Sequence, residues 1–276
     1  MELFDAHTHI NEDYTDEERA ELVSRIEHSD VLYAVDAGSD LATSKLAVTD
    51  AKKYYWCYAA VGYHPHETKH CTPEILEEIR VLAKYPKVVA IGEIGLDFHY
   101  DLSERDTQRK WFREQIRMAE ELKMPIVIHT READQETMDI LKEEGAFSKE
   151  RKAAFPERPS AGGGTEPDAR VLLHCYSGSR EMAEQYVDLG ATLSICGPVT
   201  FKNNRKTKEV AAAIPLCYLT SETDAPYLTP EPFRGKPNCS PYMEYTVRKI
   251  AELKNISYEE AAKATCENAK RFYGIR

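Results

Sequence analysis

Phe4-Asp5-Ala6-His7-Thr8-His9-Ile10 sets two imidazoles one residue apart, directly after an apolar start. Side chains in a strand alternate faces, so His7 and His9 point the same way if Leu3–Ala6 is extended. Two imidazoles side by side pack poorly in a core but make a good pair of ligands for a borderline divalent metal. Other apolar runs end in the same chemistry. Gly62-Tyr63-His64-Pro65-His66, Gly92-Glu93-Ile94-Gly95-Leu96-Asp97, His129-Thr130-Arg131, His174-Cys175-Tyr176 and Glu222-Thr223-Asp224-Ala225-Pro226 each follow one. A single histidine at a strand end is usually structural. So many ligand-type residues in the same position imply a metal site.

The elements that would position them alternate along the chain. Candidate strands are Leu3–Ala6, Val31–Val35, Trp56–Val61, Val88–Ile91, Ile126–Ile128, Val171–Leu173, Ala191–Ile195 and Leu216–Leu219. Their near-continuous hydrophobicity is that of strands buried on both faces, as in a parallel sheet covered by helices. Amphipathic stretches lie between them, at Glu74–Lys84, Glu104–Leu122, Ser179–Leu189 and Arg205–Ala213. In Glu104–Leu122 the residues Phe112, Ile116, Ala119 and Leu122 recur at helical spacing. Thr72-Pro73 and Ser257 are helix-start signals, and helices near Pro241–Leu253 and Ser257–Phe272 close the chain. Eight strand-helix units predict an α/β fold, a (β/α)8 TIM-type barrel, which needs about 250 residues; all 276 then form a single domain. In such a barrel the strand C-termini converge on one face, where active sites are built. One stretch breaks the rhythm: Phe147–Asp168, with two prolines and Gly162-Gly163-Gly164, reads as a long, mobile surface loop.

Composition narrows the partners. A net charge of −11 argues against a broad nucleic-acid-coating surface, which needs a basic face. It leaves room for a phosphate substrate gripped locally by metal ions. No apolar run approaches the roughly 20 residues of a membrane span, and Met1-Glu2-Leu3-Phe4-Asp5 has neither the basic start nor the apolar stretch of a signal peptide. Seven cysteines without a Cys-x-x-Cys pair suit buried or free thiols in a reducing, cytoplasmic setting better than a disulfide framework. Cys175, next after His174, is turned to the opposite face by strand alternation and is discounted as a ligand.

Taken together, the strand-end motifs resemble the TatD family of metal-dependent deoxyribonucleases and related hydrolases, within the amidohydrolase-like barrels. Thr200-Phe201-Lys202, Arg234-Gly235-Lys236-Pro237-Asn238 and Glu267-Asn268-Ala269-Lys270-Arg271-Phe272 extend the likeness over nearly the whole chain, while Phe147–Asp168 departs from it. The resemblance implies two divalent ions, Mg, Mn or Zn, sharing one carboxylate. His7, His9 and Asp224 would hold one ion, His129 and His174 the other, and Glu93 would bridge. Ions about 3.5–4 Å apart clamp a phosphodiester and activate a water. It further implies 3′-5′ exonuclease action on single-stranded DNA or RNA, with no membrane and no obligate protein partner.

Several residues keep two readings. Asp224 is a ligand that doubles as general base, or the cap of the following turn. His64 and His66 reach a substrate phosphate, or belong to a polar loop with one packed imidazole. Arg131 grips phosphate with its fork of donors, or pairs with Glu132 or Asp134. Tyr63, Tyr176 and Tyr227 stack on bases or pack. Glu222 and Asp97 read as supporting carboxylates or loop charges. Two further activities stay open: ester or amide hydrolysis with the same ions, as in D-aminoacyl-tRNA deacylation, and a barrel that binds metal or a partner without turnover.

Overall fold

The eight apolar runs become eight parallel strands of one sheet in a computed structural model, which describes every residue except Asp13. In chain order the elements are β1 (Leu3–Thr8), α1 (Asp16–Glu27), β2 (Val31–Ala37), α2 (Leu41–Lys53), β3 (Cys57–Val61), α3 (Pro73–Leu82), β4 (Val88–Asp97), α4 (Arg105–Leu122), β5 (Ile126–Arg131) and α5 (Asp134–Glu143). Then come α6 (Lys149–Ala153), β6 (Arg158–Pro159), β7 (Thr165–Glu166), β8 (Val171–Leu173), α7 (Arg180–Asp188), β9 (Thr192–Ile195), α8 (Arg205–Ala213), β10 (Leu219–Ser221), α9 (Met243–Lys254) and α10 (Tyr258–Tyr273). The large sheet runs β1-β2-β3-β4-β5-β8-β9-β10. Its ends meet. Asp224 N–H donates to His7 O at 2.9 Å, His9 N–H to Ala225 O at 2.8 Å, and Thr223 N–H to the Asp5 carboxylate at 2.8 Å. The closure is thus made by backbone and by Asp5 beside the candidate ligands, giving the barrel that alternation predicted.

Packing follows from the strand faces. Phe4, Ala6, Val35, Ala37, Ala60, Ala90, Val127 and Leu172 form one buried cluster although their strands are not all neighbours. They meet through the inside of the barrel, and Phe272 and Tyr273 at the end of α10 and Ile275 just beyond it join them. A larger cluster fills the space between sheet and helices, with Trp111, Phe112 and Ile116 of α4 against Ile91, Ile94 and Leu96 of β4. The helix starts read from sequence cap as expected. Thr72 Oγ1 accepts from Ile75 N–H at 3.3 Å ahead of Pro73, and Ser257 Oγ from Glu260 N–H at 3.1 Å.

Boundaries moved where apolar content was a poor guide. The last strand is β10, Leu219–Ser221, rather than Leu216–Leu219, because Leu216–Tyr218 forms a tight 3-10 turn after Pro215. β4 continues to Asp97, well past Ile91, since Gly92 and Gly95 let it lie close against β5. A Cβ on Gly95 would sit 1.9 Å from His129 O, and one on Gly92 would sit 2.7 Å from Val127 Cβ.

The expectation of an irregular loop at 147–168 is corrected. The segment holds α6, started by Ser148 Oγ accepting Arg151 N–H at 3.0 Å, and the antiparallel pair β6-β7. Two charged residues anchor it beneath the barrel. Arg151 donates to Ala169 O at 2.7 Å, Met124 O at 3.0 Å and Arg170 O at 3.2 Å, and pairs with Glu120. Arg158 donates to Ala191 O at 2.5 Å and Val187 O at 2.7 Å. Met124, Arg170 and Ala191 immediately precede or nearly precede β5, β8 and β9, so the two guanidiniums supply donors to carbonyls at strand starts, of which Arg170 O also accepts Ile126 N–H at 2.9 Å. The segment floors the barrel at the end opposite the candidate site. Among the described residues no helix is long and apolar enough to cross a membrane.

The cysteine expectation is corrected in part. Cys57, Cys71, Cys217, Cys239 and Cys266 are free thiols, but Cys175 and Cys196 form a disulfide. β8 ends at Leu173, so strand alternation no longer governs Cys175. Its positive φ of 40° turns the side chain toward Cys196 just past β9, with the Cα atoms 5.3 Å apart.

Candidate metal centre

Glu93, on β4, is the point on which the strand-end side chains converge. Its Oε1 lies 2.7 Å from His129 Nδ1 and 2.8 Å from His174 Nε2. Its Oε2 lies 3.3 Å from His7 Nε2 and 3.8 Å from His9 Nε2. One oxygen therefore faces the β5 and β8 histidines and the other the β1 pair. Asp224, beyond β10, completes the β1 side: its Oδ1 is 3.3 Å from His9 Nε2 and 3.7 Å from His7 Nε2. The candidate ligand atoms of His7, His9 and Asp224 all fall within 4.8 Å of one another, as do those of His64, Glu93 and His129.

The chemistry of the donor set fits a bound cation. A ring nitrogen that donates outward leaves the other nitrogen bare in a neutral imidazole. His9 Nδ1 is 2.9 Å from Ala37 O, which only accepts, so the proton is there and Nε2 faces inward. His174 Nδ1 meets the Glu222 carboxylate at 3.2 Å, again leaving Nε2 for the centre. His7 Nε2 and His9 Nε2 face each other at 3.2 Å, and the far nitrogen of His7 has no partner among the described residues. The bare nitrogens of His9 and His174 thus point at carboxylate oxygens. Only positive charge between them makes such a pocket stable.

Ionisation responds accordingly. Burial opposes charge on His9, yet the hydrogen bond and charge of Asp224, together with Glu93, raise its pKa to about 9. His174 is likewise raised against burial by Glu93 and Glu222. Burial would lift Glu93, but the charges of His174 and His64 and the hydrogen bonds of His129 and His174 hold it well below the usual carboxylate range. Asp224 is lowered by His9 despite its burial. His9 and His174 are thus drawn toward the charged form beside carboxylates whose charge a metal ion would otherwise neutralise.

The second group divides. His64 enters the centre itself, with Nε2 3.5 Å from Glu93 Oε1. Its Nδ1 accepts His66 N–H at 3.2 Å, so in the neutral ring the proton is on Nε2 and points at the centre as a donor. Burial keeps it neutral, with its pKa lowered to about 4. His66 is turned away, its Nε2 2.8 Å from Asp97 Oδ2. Arg131 is exposed at the mouth, its guanidinium 4.7 Å from the Tyr100 ring centre, with no ion pair to Glu132 or Asp134. Glu132 pairs with His99 instead, at 2.7 Å. Of the three tyrosines singled out, Tyr63 and Tyr176 are buried, while Tyr227 is half exposed beside His9. Tyr100, missed in the sequence, is its counterpart: half exposed, with its ring 5.4 Å from that of His66. Its position after Asp97, on the loop closing a ligand-bearing strand, was the available signal.

Asp224 sits at φ 56°, before a cis Ala225–Pro226 bond, and its carboxylate is directed at His9 rather than at a helix start. The Gly92–Glu93 peptide is also cis.

Against known proteins, the family model described as TatD related DNase matches residues 4–274. The metal-dependent hydrolase YabD of Bacillus subtilis is 42% identical over 273 residues, covering 99% of each chain. A Klebsiella pneumoniae protein named 3′-5′ ssDNA/RNA exonuclease TatD is 30% identical over 278 residues, covering 99% of this chain and 98% of its own. Among solved structures, the TatD homologue YjjV of Escherichia coli superposes with a TM-score of 0.84 at 25% identity, covering 99% of this chain and 98% of that one.

Proposed function

The chain belongs to the TatD family of metal-dependent hydrolases, and on that premise we propose that it removes nucleotides stepwise from the 3′ ends of single-stranded DNA or RNA through a two-ion centre. The observation that carries the reading is Glu93, whose two oxygens are divided between the His129–His174 side and the His7–His9 side. His7, His9 and Asp224 would hold one ion and His129 and His174 the other, with Glu93 shared. Bound there, the ions supply a Lewis acid for the phosphodiester and lower the pKa of a water.

The chain's own groups do the rest. Asp224, ionised and directed at the centre, accepts the proton of the attacking water. His64 presents its Nε2–H to a phosphate oxygen beside Glu93. Arg131 is the cation at the mouth, placed for a neighbouring phosphate. Tyr100 and Tyr227, each half exposed at the rim, offer faces on which unpaired bases stack. Such platforms serve splayed single strands rather than a continuous duplex. The net charge of −11 over the whole chain favours a small footprint at a strand end over a long tract. The exonuclease name of the Klebsiella relative supports the same substrate class.

The test offers metal-stripped protein, reloaded with Mg, Mn or Zn, to 5′-labelled single-stranded DNA, RNA and D-aminoacyl-tRNA side by side. Products shortened one nucleotide at a time from the 3′ end are expected. Release of the amino acid with every oligonucleotide intact would shift the assignment to deacylation, and efficient cutting of closed circles would end the exonuclease reading.

A further inference from the structure

Asp97 touches none of the proposed ligand nitrogens that face the centre, yet its position decides which nitrogen of His129 does so. It lies four residues beyond Glu93 on β4, on the same side of the strand, and is fully buried. Its Oδ2 is 2.8 Å from His66 Nε2 and 3.1 Å from His129 Nε2. Its Oδ1 accepts the backbone N–H of His99 at 3.0 Å and of Tyr100 at 2.9 Å. Gln108 fixes the backbone beneath it, accepting Asp97 N–H at 2.9 Å and donating to Asp97 O at 3.1 Å. Four donors thus converge on one carboxylate, two on each oxygen.

We propose that Asp97 is a positioning residue that fixes the protons of His129 and His66 on Nε2, so that His129 ligates through Nδ1 and the β5–β8 half of the centre fills. The inference rests on the two-ion reading above. An ionised carboxylate only accepts, so each imidazole directed at Oδ2 brings a proton to it. In neutral His129 the remaining nitrogen, Nδ1, is then bare, and it is the one 2.7 Å from Glu93 Oε1. The same oxygen ties His66, on the turn after β3, to the ligand on β5, so that the two residues share one orienting group.

Asp97→Asn inverts this arrangement at constant size. The two backbone donors at Oδ1 hold the amide oxygen there, which puts the NH2 where Oδ2 was. That group donates, so His129 has to present a bare Nε2 and carry its proton on Nδ1, against Glu93, where it blocks ligation. We expect metal content near one ion per chain in the variant and near two in the wild type at matched metal, with affinity at the affected half weaker by about 10–100-fold. Melting of the metal-free variant should match the metal-free wild type, which separates loss of ligation from loss of fold. A second measurement needs no substitution. Nitrogen NMR of the zinc-loaded wild type should find His129 bound through Nδ1 with a proton on Nε2. Zinc on His129 Nε2, or an Asp97→Asn protein holding two ions at wild-type affinity, overturns the proposal. A wild type that binds fewer than two ions overturns the two-ion reading itself, a result distinct from either.

Discussion

Replacing Glu93 with Gln tests the shared carboxylate, because it should weaken both halves of the centre at once. Each of its oxygens faces one half, at 2.7 and 2.8 Å from His129 and His174, and at 3.3 and 3.8 Å from His7 and His9. An ion present at a hundred times its dissociation constant stabilises the fold by about 2.7 kcal/mol, so two contribute about 5 kcal/mol. For a chain of this size that raises the melting temperature by about 10–20 °C. A loss of about a hundredfold in affinity at both halves, the order seen when metal-site support is removed, leaves about 0.4 kcal/mol per ion at the same metal concentration. The metal-induced shift of Glu93→Gln should then shrink to about 2–3 °C. His129→Ala removes a ligand from one half only and should keep about 3 kcal/mol, or about 6–12 °C. The assay is thermal unfolding of each protein stripped with chelator and again with metal restored, read beside elemental analysis. A Glu93→Gln protein whose metal-induced shift equals or exceeds that of His129→Ala would refute the shared-carboxylate reasoning.

Asp224→Asn keeps an oxygen ligand but removes charge and basicity. Metal should stay partly bound while turnover at saturating metal falls by about 10²–10⁴-fold, and near-normal turnover would assign the proton to another group. Arg151→Ala strips partners from Ala169 O, Met124 O and Arg170 O and leaves Glu120 without its pair. Urea unfolding should register a loss of about 2–5 kcal/mol, from carbonyls left without a donor at about 1–3 kcal/mol each, whereas a change under about 1 kcal/mol would show that the floor segment contributes little. Asp36 carries a pH dependence. Burial, with the Asp50 charge second, raises its pKa from 3.8 to about 8. The folded chain keeps a proton that the unfolded chain releases, so stability declines as pH rises from about 4 toward about 8 and levels off beyond. Asp36→Asn retains the acceptor for Ile10 N–H, Asn11 N–H and Asn11 Nδ2, at 2.8, 3.2 and 2.8 Å. Its unfolding free energy should therefore gain on the wild type from pH 5 to pH 8, and parallel profiles would contradict the raised pKa.

Much of the molecule is written locally. A strand's two-residue period places His7 and His9 on one face from three residues of sequence, and eight apolar runs alternating with amphipathic helices leave the barrel as the architecture that buries them all. Because a parallel barrel gathers every strand C-terminus at one mouth, the strand-end residues could be brought together before any distance was known, and the family resemblance singled out Glu93, His129, His174 and Asp224 among them. Other features depend on partners distant in sequence. The sequence marks His64 and His66 as equals; the tertiary structure turns one toward Glu93 and the other onto Asp97, since the 3-10 turn begun by Pro65 splits their directions. Arg151 and Arg158 lie in a stretch that reads as a mobile surface loop, and only the carbonyls at the starts of neighbouring strands, to which they donate, explain why they are buried. Cys175 pairs with Cys196 because β8 ends before it and a positive φ cancels the alternation that holds inside the strand. Periodicity and strand ends are properties of a few consecutive residues. Which nitrogen bears a proton, and which charge finds a partner in the interior, is decided by atoms that folding brings from elsewhere in the chain.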